Sequence, residues 1–269
     1  MNQSGVSRRD FIRIGGGVGA GLMFLGSTGT SLWSPARVLA ATQGPGLSDP
    51  AMQPKFSTLV PNALDPGFIY DTSKGKIKVG VGQTVQHTGL VGSGGTPVPT
   101  TLWGYGDNGF HTWPGRTFQV RSGEPLEVKW ENNLGGLPYL ITGKDNTSLG
   151  FGDYTGRSVV DESLHWAYSL HGYENFSIEK DGVPIVAHVH GGHTDFQFDG
   201  NPEFFFSPGY TVRGPQWLDK KYVYDNSQLA GTVWYHDHAL GITRLNVYTG
   251  MAGFYIIRDD DDTGLPGNL

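Results

Sequence analysis

Gly231-Thr232-Val233-Trp234-Tyr235-His236-Asp237-His238 is the stretch on which the reading of this chain turns. Val233 and Tyr235 alternate with Trp234, His236 and His238, the period-two pattern of a β-strand with two unlike faces. Residues 184–190 repeat the arrangement. Ile185, Ala187 and Val189 face one way, Val186, His188 and His190 the other, and Gly191-Gly192 ends the run. In an extended chain residues i and i+2 share a face roughly 6.5–7 Å apart, so each His-x-His pair presents two imidazoles together. The chain has nine histidines in 269 residues, and four of them fall into these two pairs. Four neutral imidazoles make a nitrogen-rich pocket suited to copper or zinc and poor for calcium or magnesium.

Working outward, residues 117–121 and 126–131 read as strands flanking the turn Ser122-Gly123-Glu124-Pro125. Leu126, Val128 and Trp130 alternate with Glu127, Lys129 and Glu131, the signature of a half-buried strand. Residues 141–182, rich in Gly, Ser, Asp and Asn, read as a long excursion with at most short strands. A short helix is expected over 239–247 and a final apolar strand over 251–258. With 42 glycines, 12% aromatic and only 16% charged residues, the composition favours a turn-rich, all-β domain over a helical bundle. The expected fold is a Greek-key β-sandwich or barrel with an irregular N-terminal extension, its two histidine-bearing strands meeting at one edge.

The first 40 residues read as an address. Ser7-Arg8-Arg9-Asp10-Phe11-Ile12-Arg13 is a twin-arginine motif, residues 14–33 supply a glycine-diluted apolar region, and Val38-Leu39-Ala40 fits a cleavage site. Export by the Tat route to the periplasm or beyond is expected, with a mature N-terminus near Ala41 and no membrane attachment after cleavage; an uncleaved anchor is the alternative. The remaining layout is an extension with first strands over 41–99, the main domain over 100–259 and the start of a linker over 260–269. A net charge of −6 argues against a nucleic-acid partner. With no cysteine, the chain can form neither disulfides nor thiolate–metal bonds.

At these residues the chain resembles the multicopper oxidases, and within them the bacterial branch of spore-coat laccases and bilirubin-oxidase-like enzymes. The likeness is carried by Asp161-Glu162-Ser163-Leu164-His165-Trp166, His188-Val189-His190-Gly191-Gly192-His193-Thr194 and Asp199-Gly200-Asn201-Pro202-Glu203, then residues 234–248 and 251–259. Weaker similarity reaches Trp103-Gly104-Tyr105 and Pro114-Gly115. The resemblance implies a cupredoxin-like (plastocyanin-like) domain, the first of usually three. It implies a trinuclear copper cluster held by four His-x-His motifs, two here and two in the last domain. By motif position His188 corresponds to the type 2 copper ligand. His190, His236 and His238 correspond to type 3 ligands, with His190 and His236 sharing one copper and His238 on the other. The implied activity couples one-electron oxidation of a small reducing substrate to four-electron reduction of O2 to water. Phenols, bilirubin-like pigments and Mn(II) or other metal ions all stand open as substrates. The type 1 copper of the family requires a cysteine, which this sequence lacks. A fragment, a truncated reading frame or a partner polypeptide carrying the missing C-terminal domains would each account for that.

Among single residues, Asp199 matches an acidic position near the family's cluster and is a candidate proton relay, against the plain reading of a turn aspartate in Asp-Gly. Asp237 lies between two ligands and faces away from them, which suits hydrogen bonding to backbone. Trp234 is expected to shield the histidines, and Tyr235 to fill core. His193 is expected near the site rather than as a ligand, and His165 and His171 as structural or surface residues. Two competing functions stand beside the oxidase: a copper-storing or copper-delivering module without catalysis, and a zinc hydrolase. The hydrolase is disfavoured because no glutamate sits beside the ligands as general base.

Overall fold

Strand alternation builds two sheets around an aromatic core. The computed structural model describes residues 50–140 and 170–265, which fall in one compact unit. The strands are β1 (Lys76–Val91), β2 (Pro97–Asp107), β3 (Phe110–Thr112), β4 (Gly115–Arg121), β5 (Leu126–Asn132), β6 (Ala187–His190), β7 (Lys221–Tyr224), β8 (Gly231–Asp237) and β9 (Ala252–Arg258). Two short helices, α1 (Ile178–Asp181) and α2 (Thr243–Thr249), lie between them. One sheet has the order β3-β2-β1-β5-β7, the other β4-β9-β8-β6. The pairs β1/β5 and β4/β9 are parallel, and the remaining pairs are antiparallel. Successive strands from β3 to β8 alternate between the sheets, so the chain crosses repeatedly from one layer to the other. This is the expected all-β sandwich.

β5 is buried at every second residue, as its Leu126–Val128–Trp130 pattern requires. Between the sheets, Tyr105 and Phe118 approach the Tyr235 ring at 4.9 and 5.0 Å between centroids, and Trp130 approaches it at 5.9 Å. A buried aromatic removes roughly 150–250 Å2 from water, an upper bound of about 4–6 kcal/mol at about 25 cal/mol per Å2. The hydrogen bond from the Tyr235 hydroxyl to the Arg116 carbonyl (2.7 Å) adds only about 1 kcal/mol. Tyr235 is therefore a core residue first.

The sandwich begins well before residue 100: β1 pairs with β2 and β5 from Lys76 onward. Regular pairing of the first histidine strand is confined to Ala187–His190, shorter than the 184–190 expected, with Ile185 making a single bridge to Phe206. The helix after the second pair covers Thr243–Thr249 rather than 239–247. The expected export signal (residues 1–40), most of the 141–182 excursion including His165, and residues 266–269 lie outside the described residues. Among the described residues no helix is long and apolar enough to cross a membrane.

Candidate metal centre

β6 and β8 are antiparallel neighbours, and their register sets His188 opposite His236 and His190 opposite Trp234. Val189 and Tyr235 enter the core, so by alternation the imidazoles occupy the other face. His238 follows directly on β8, its N–H donating to the Val186 carbonyl (2.8 Å). Ring centroids lie 5.5 Å apart for His188–His190, 5.4 Å for His188–His236 and 5.1 Å for His188–His238. All four paired histidines thus come together from two separate segments.

The nitrogen chemistry fits a metal. Candidate ligand atoms of His188, His190 and His236 all lie within 4.8 Å of one another. His190 Nδ1 and His236 Nε2 are 3.2 Å apart. Two nitrogens each about 2.0 Å from a tetrahedral ion would be separated by about 3.3 Å, so this spacing needs almost no rearrangement. His236 Nδ1–H donates to the Asp237 carbonyl (2.6 Å), which leaves the lone pair on Nε2. His188 Nδ1–H donates to the Asp199 carbonyl, which likewise frees its Nε2. His238 Nδ1 is buried without a hydrogen-bond partner, a nitrogen to which the protein itself gives no task.

Burial supplies the electrostatics. Desolvation, reinforced by the neighbouring imidazoles of His188, His238 and His190, lowers His236 from 6.5 to about 4, against an opposing hydrogen bond to the Asp237 carbonyl. His238 is lowered too, by desolvation first and then by His188. Neutral imidazole is the ligating form, so the pocket holds these residues ready for a cation.

Neighbouring residues frame the cluster. Trp234 lies 4.2 Å from the His236 ring centroid and stacks on His190 at 5.3 Å, in the shielding place expected of it. Asp237 is fully buried. Its Oδ1 accepts from Val186 N (2.9 Å), and its Oδ2 accepts from Ala239 N (3.1 Å) and Asn246 Nδ2 (2.9 Å). Burial pushes its carboxyl up to about 7 against the pull of those three donors. Asp199 Oδ1 sits 3.3 Å from His188 Nδ1 with its side chain half exposed, while its carbonyl takes the His188 proton. Gly200 makes that approach possible. It has φ +77°, and a Cβ there would lie 2.2 Å from the Ala187 carbonyl oxygen. His193 is exposed beyond the Gly-Gly break, its N–H donating to Gln228 Oε1. His171 is fully exposed beside Glu174.

Sequence reasoning missed Asn246, Tyr139 and Gly200. Asn246 left one signal, since an asparagine inside a helix among apolar residues competes poorly unless its amide is satisfied. Nothing near Tyr139 in the sequence points to a partner 107 residues away.

Residues 182–262 match the sequence model of the multicopper oxidase family. The chain is 38% identical over 167 residues to a laccase of Bacillus subtilis (strain 168), covering 62% of this chain and 27% of the relative. It is 37% identical over 161 residues to a laccase of Bacillus stratosphericus, covering 60% of this chain and 26% of the relative. A crystal structure of a multi-copper oxidase from Pediococcus acidilactici aligns with a TM-score of 0.40 and 20% identity, over 71% of this chain and 28% of that one. The chain spans about a quarter of the length of these curated relatives.

Proposed function

We propose that this chain, which belongs to the multicopper oxidase family, serves as a copper-binding module supplying half the ligands of a trinuclear cluster in an exported, laccase-like oxidase. The observation that carries the reading is the convergence of His188, His190, His236 and His238 through the β6–β8 register. In this reading His188 is the type 2 ligand, and His190, His236 and His238 are type 3 ligands. The 3.2 Å approach of His190 Nδ1 to His236 Nε2 supports their sharing one ion. Bound copper would supply one-electron redox chemistry between Cu(I) and Cu(II), which nitrogen ligation supports.

The protein's own part is to hold and protect. The Asp199 and Asp237 carbonyls fix two imidazole tautomers, and Trp234 covers one side of the rings. The half-exposed Asp199 carboxylate beside His188 is placed to pass protons between solvent and the site. The remaining imidazoles and the electron-entry copper would come from further cupredoxin domains, on the same polypeptide or on a partner chain. A twin-arginine leader over residues 1–40 would deliver the protein to the periplasm or the exterior.

A second reading is a copper-storing module without catalysis, favoured by the absence of cysteine and by four imidazoles sufficient to hold copper alone. Cu(II) titration of the purified chain, followed by calorimetry and electron spin resonance, tests the shared premise. Saturable binding with nitrogen hyperfine structure is expected. The His188→Ala, His236→Ala double variant should bind more than about 100-fold more weakly, beyond the 10–100-fold that supporting residues command. Undiminished binding by that variant refutes the site. A silent copper pair favours the oxidase reading, and only isolated Cu(II) signals favour storage.

A further inference from the structure

We infer that Asn246, oriented by Tyr139 and bound to Asp237, is a positioning residue that sets the distance between the two histidine strands before any metal arrives. The inference rests on the copper reading of the histidine cluster and concerns what holds that cluster in place.

β6 is four residues long and lies at the edge of its sheet, paired only with β8. A strand this short is weakly held in register, and a one-residue slip would turn His188 and His190 to the opposite face. Just before β6 the ladder thins to a single backbone bond, from His238 N–H to the Val186 carbonyl (2.8 Å), and side chains supply the rest. The Pro184 carbonyl accepts from Asn246 Nδ2 (3.1 Å), and Val186 N donates to Asp237 Oδ1 (2.9 Å). On the other strand, the same carboxylate accepts from Ala239 N and from Asn246 Nδ2. One buried carboxylate and one buried carboxamide therefore tie the approach to His188 and His190 to the end of β8, where His236 and His238 lie.

The amide must point the right way. Asn246 can brace Pro184 and Asp237 only if its NH2 faces both, because its oxygen against the Asp237 carboxylate would be repulsive. The Tyr139 hydroxyl settles this by donating to Asn246 Oδ1 (2.9 Å). Asp237 and Asn246 are wholly buried and Tyr139 nearly so, which keeps competing water away and makes an unpaired member expensive. Asn246 sits on α2, whose buried side packs by way of Leu245, so the brace is anchored in the core rather than in a loop.

The test uses the full chain, Cu(II) alone as probe, and the variants Asn246→Leu and Tyr139→Phe. Affinity is read by chelator competition and site geometry by the copper hyperfine splitting. Val79→Ala, in the core of β1 away from the histidines, controls for loss of stability alone. The expected result is an affinity loss of about 10–100-fold in Asn246→Leu and about 10-fold in Tyr139→Phe, with altered hyperfine splitting. Val79→Ala should melt earlier yet bind copper as the parent does. If Asn246→Leu does not fold, Tyr139→Phe, which removes a single hydroxyl, decides alone. Variants that bind within twofold of the parent, with unchanged spectra, overturn the inference and leave the copper site standing. A parent chain that binds no copper overturns both.

Discussion

His236 is where the physics of the site is most concentrated. It is buried and ringed by three other imidazoles, so its proton leaves near pH 4 instead of 6.5. Two-dimensional NMR of the ring protons in the metal-free chain should show a midpoint near pH 4, well below an ordinary histidine. A midpoint near 6.5 would mean that the pocket is open to water. The effects on stability oppose each other. For His236 the folded value is depressed, so its contribution is present above pH 6.5 and fades as pH falls toward about 4. Asp237 is raised from 3.8 to about 7, so its contribution is present below 3.8 and fades as pH rises toward 7. Between about pH 4 and 6.5 the unfolded chain gains a proton at one residue while the folded chain retains one at the other, and the two slopes largely cancel. Both shifts were hidden in the sequence, because desolvation depends on what packs around a residue.

β8 and β9 show how strands make room for that residue. Tyr235 precedes His236 and points inward, and two glycines, Gly115 and Gly253, lie against its hydroxyl end. A Cβ on Gly253 would lie 2.5 Å from the Tyr235 hydroxyl oxygen, and one on Gly115 would lie 2.4 Å from it. Gly253→Ala should therefore destabilise the chain by about 1–3 kcal/mol, the range for overpacking a filled core. Urea unfolding measures this, and an unchanged midpoint would contradict the close approach. The elements were unequally legible. β5 announces itself because polar and apolar residues alternate without interruption over its seven residues. β1 does not, because Gly80 and Gly82 dilute its pattern. Those glycines are there for tertiary reasons, since a Cβ at Gly80 would strike Asn133 and one at Gly82 would strike the His111 ring. The four residues of β6 were overextended in the sequence reading because Val186 looks strand-like, whereas its N–H is taken by Asp237.

At the scale of the molecule, the described residues hold one cluster of paired histidines, and the sequence has no cysteine to build an electron-entry copper. The purified chain, loaded with copper and given a phenolic dye, should therefore show no sustained four-electron oxidase turnover. Dye oxidation with matching oxygen uptake, followed by electrode, would refute the proposal that further cupredoxin domains are required. An exposed aromatic pair, Trp234 with its cross-strand neighbour Phe254, borders the histidines on β8 and β9.

Alternating strands, glycine-rich turns and composition were enough to point to the sandwich class, and the two His-x-His pairs to the face that carries the imidazoles and the kind of metal they suit. These are local properties, set by a period of two and by the chemistry of a ring nitrogen. Which imidazoles meet and what braces the two strands depend on contacts between residues far apart in the chain. Asp199 reaches His188 through a backbone carbonyl, and Tyr139 reaches Asn246 across the fold. No pattern along the chain encodes such pairings, because they exist only once the sheets have packed and water has been driven out.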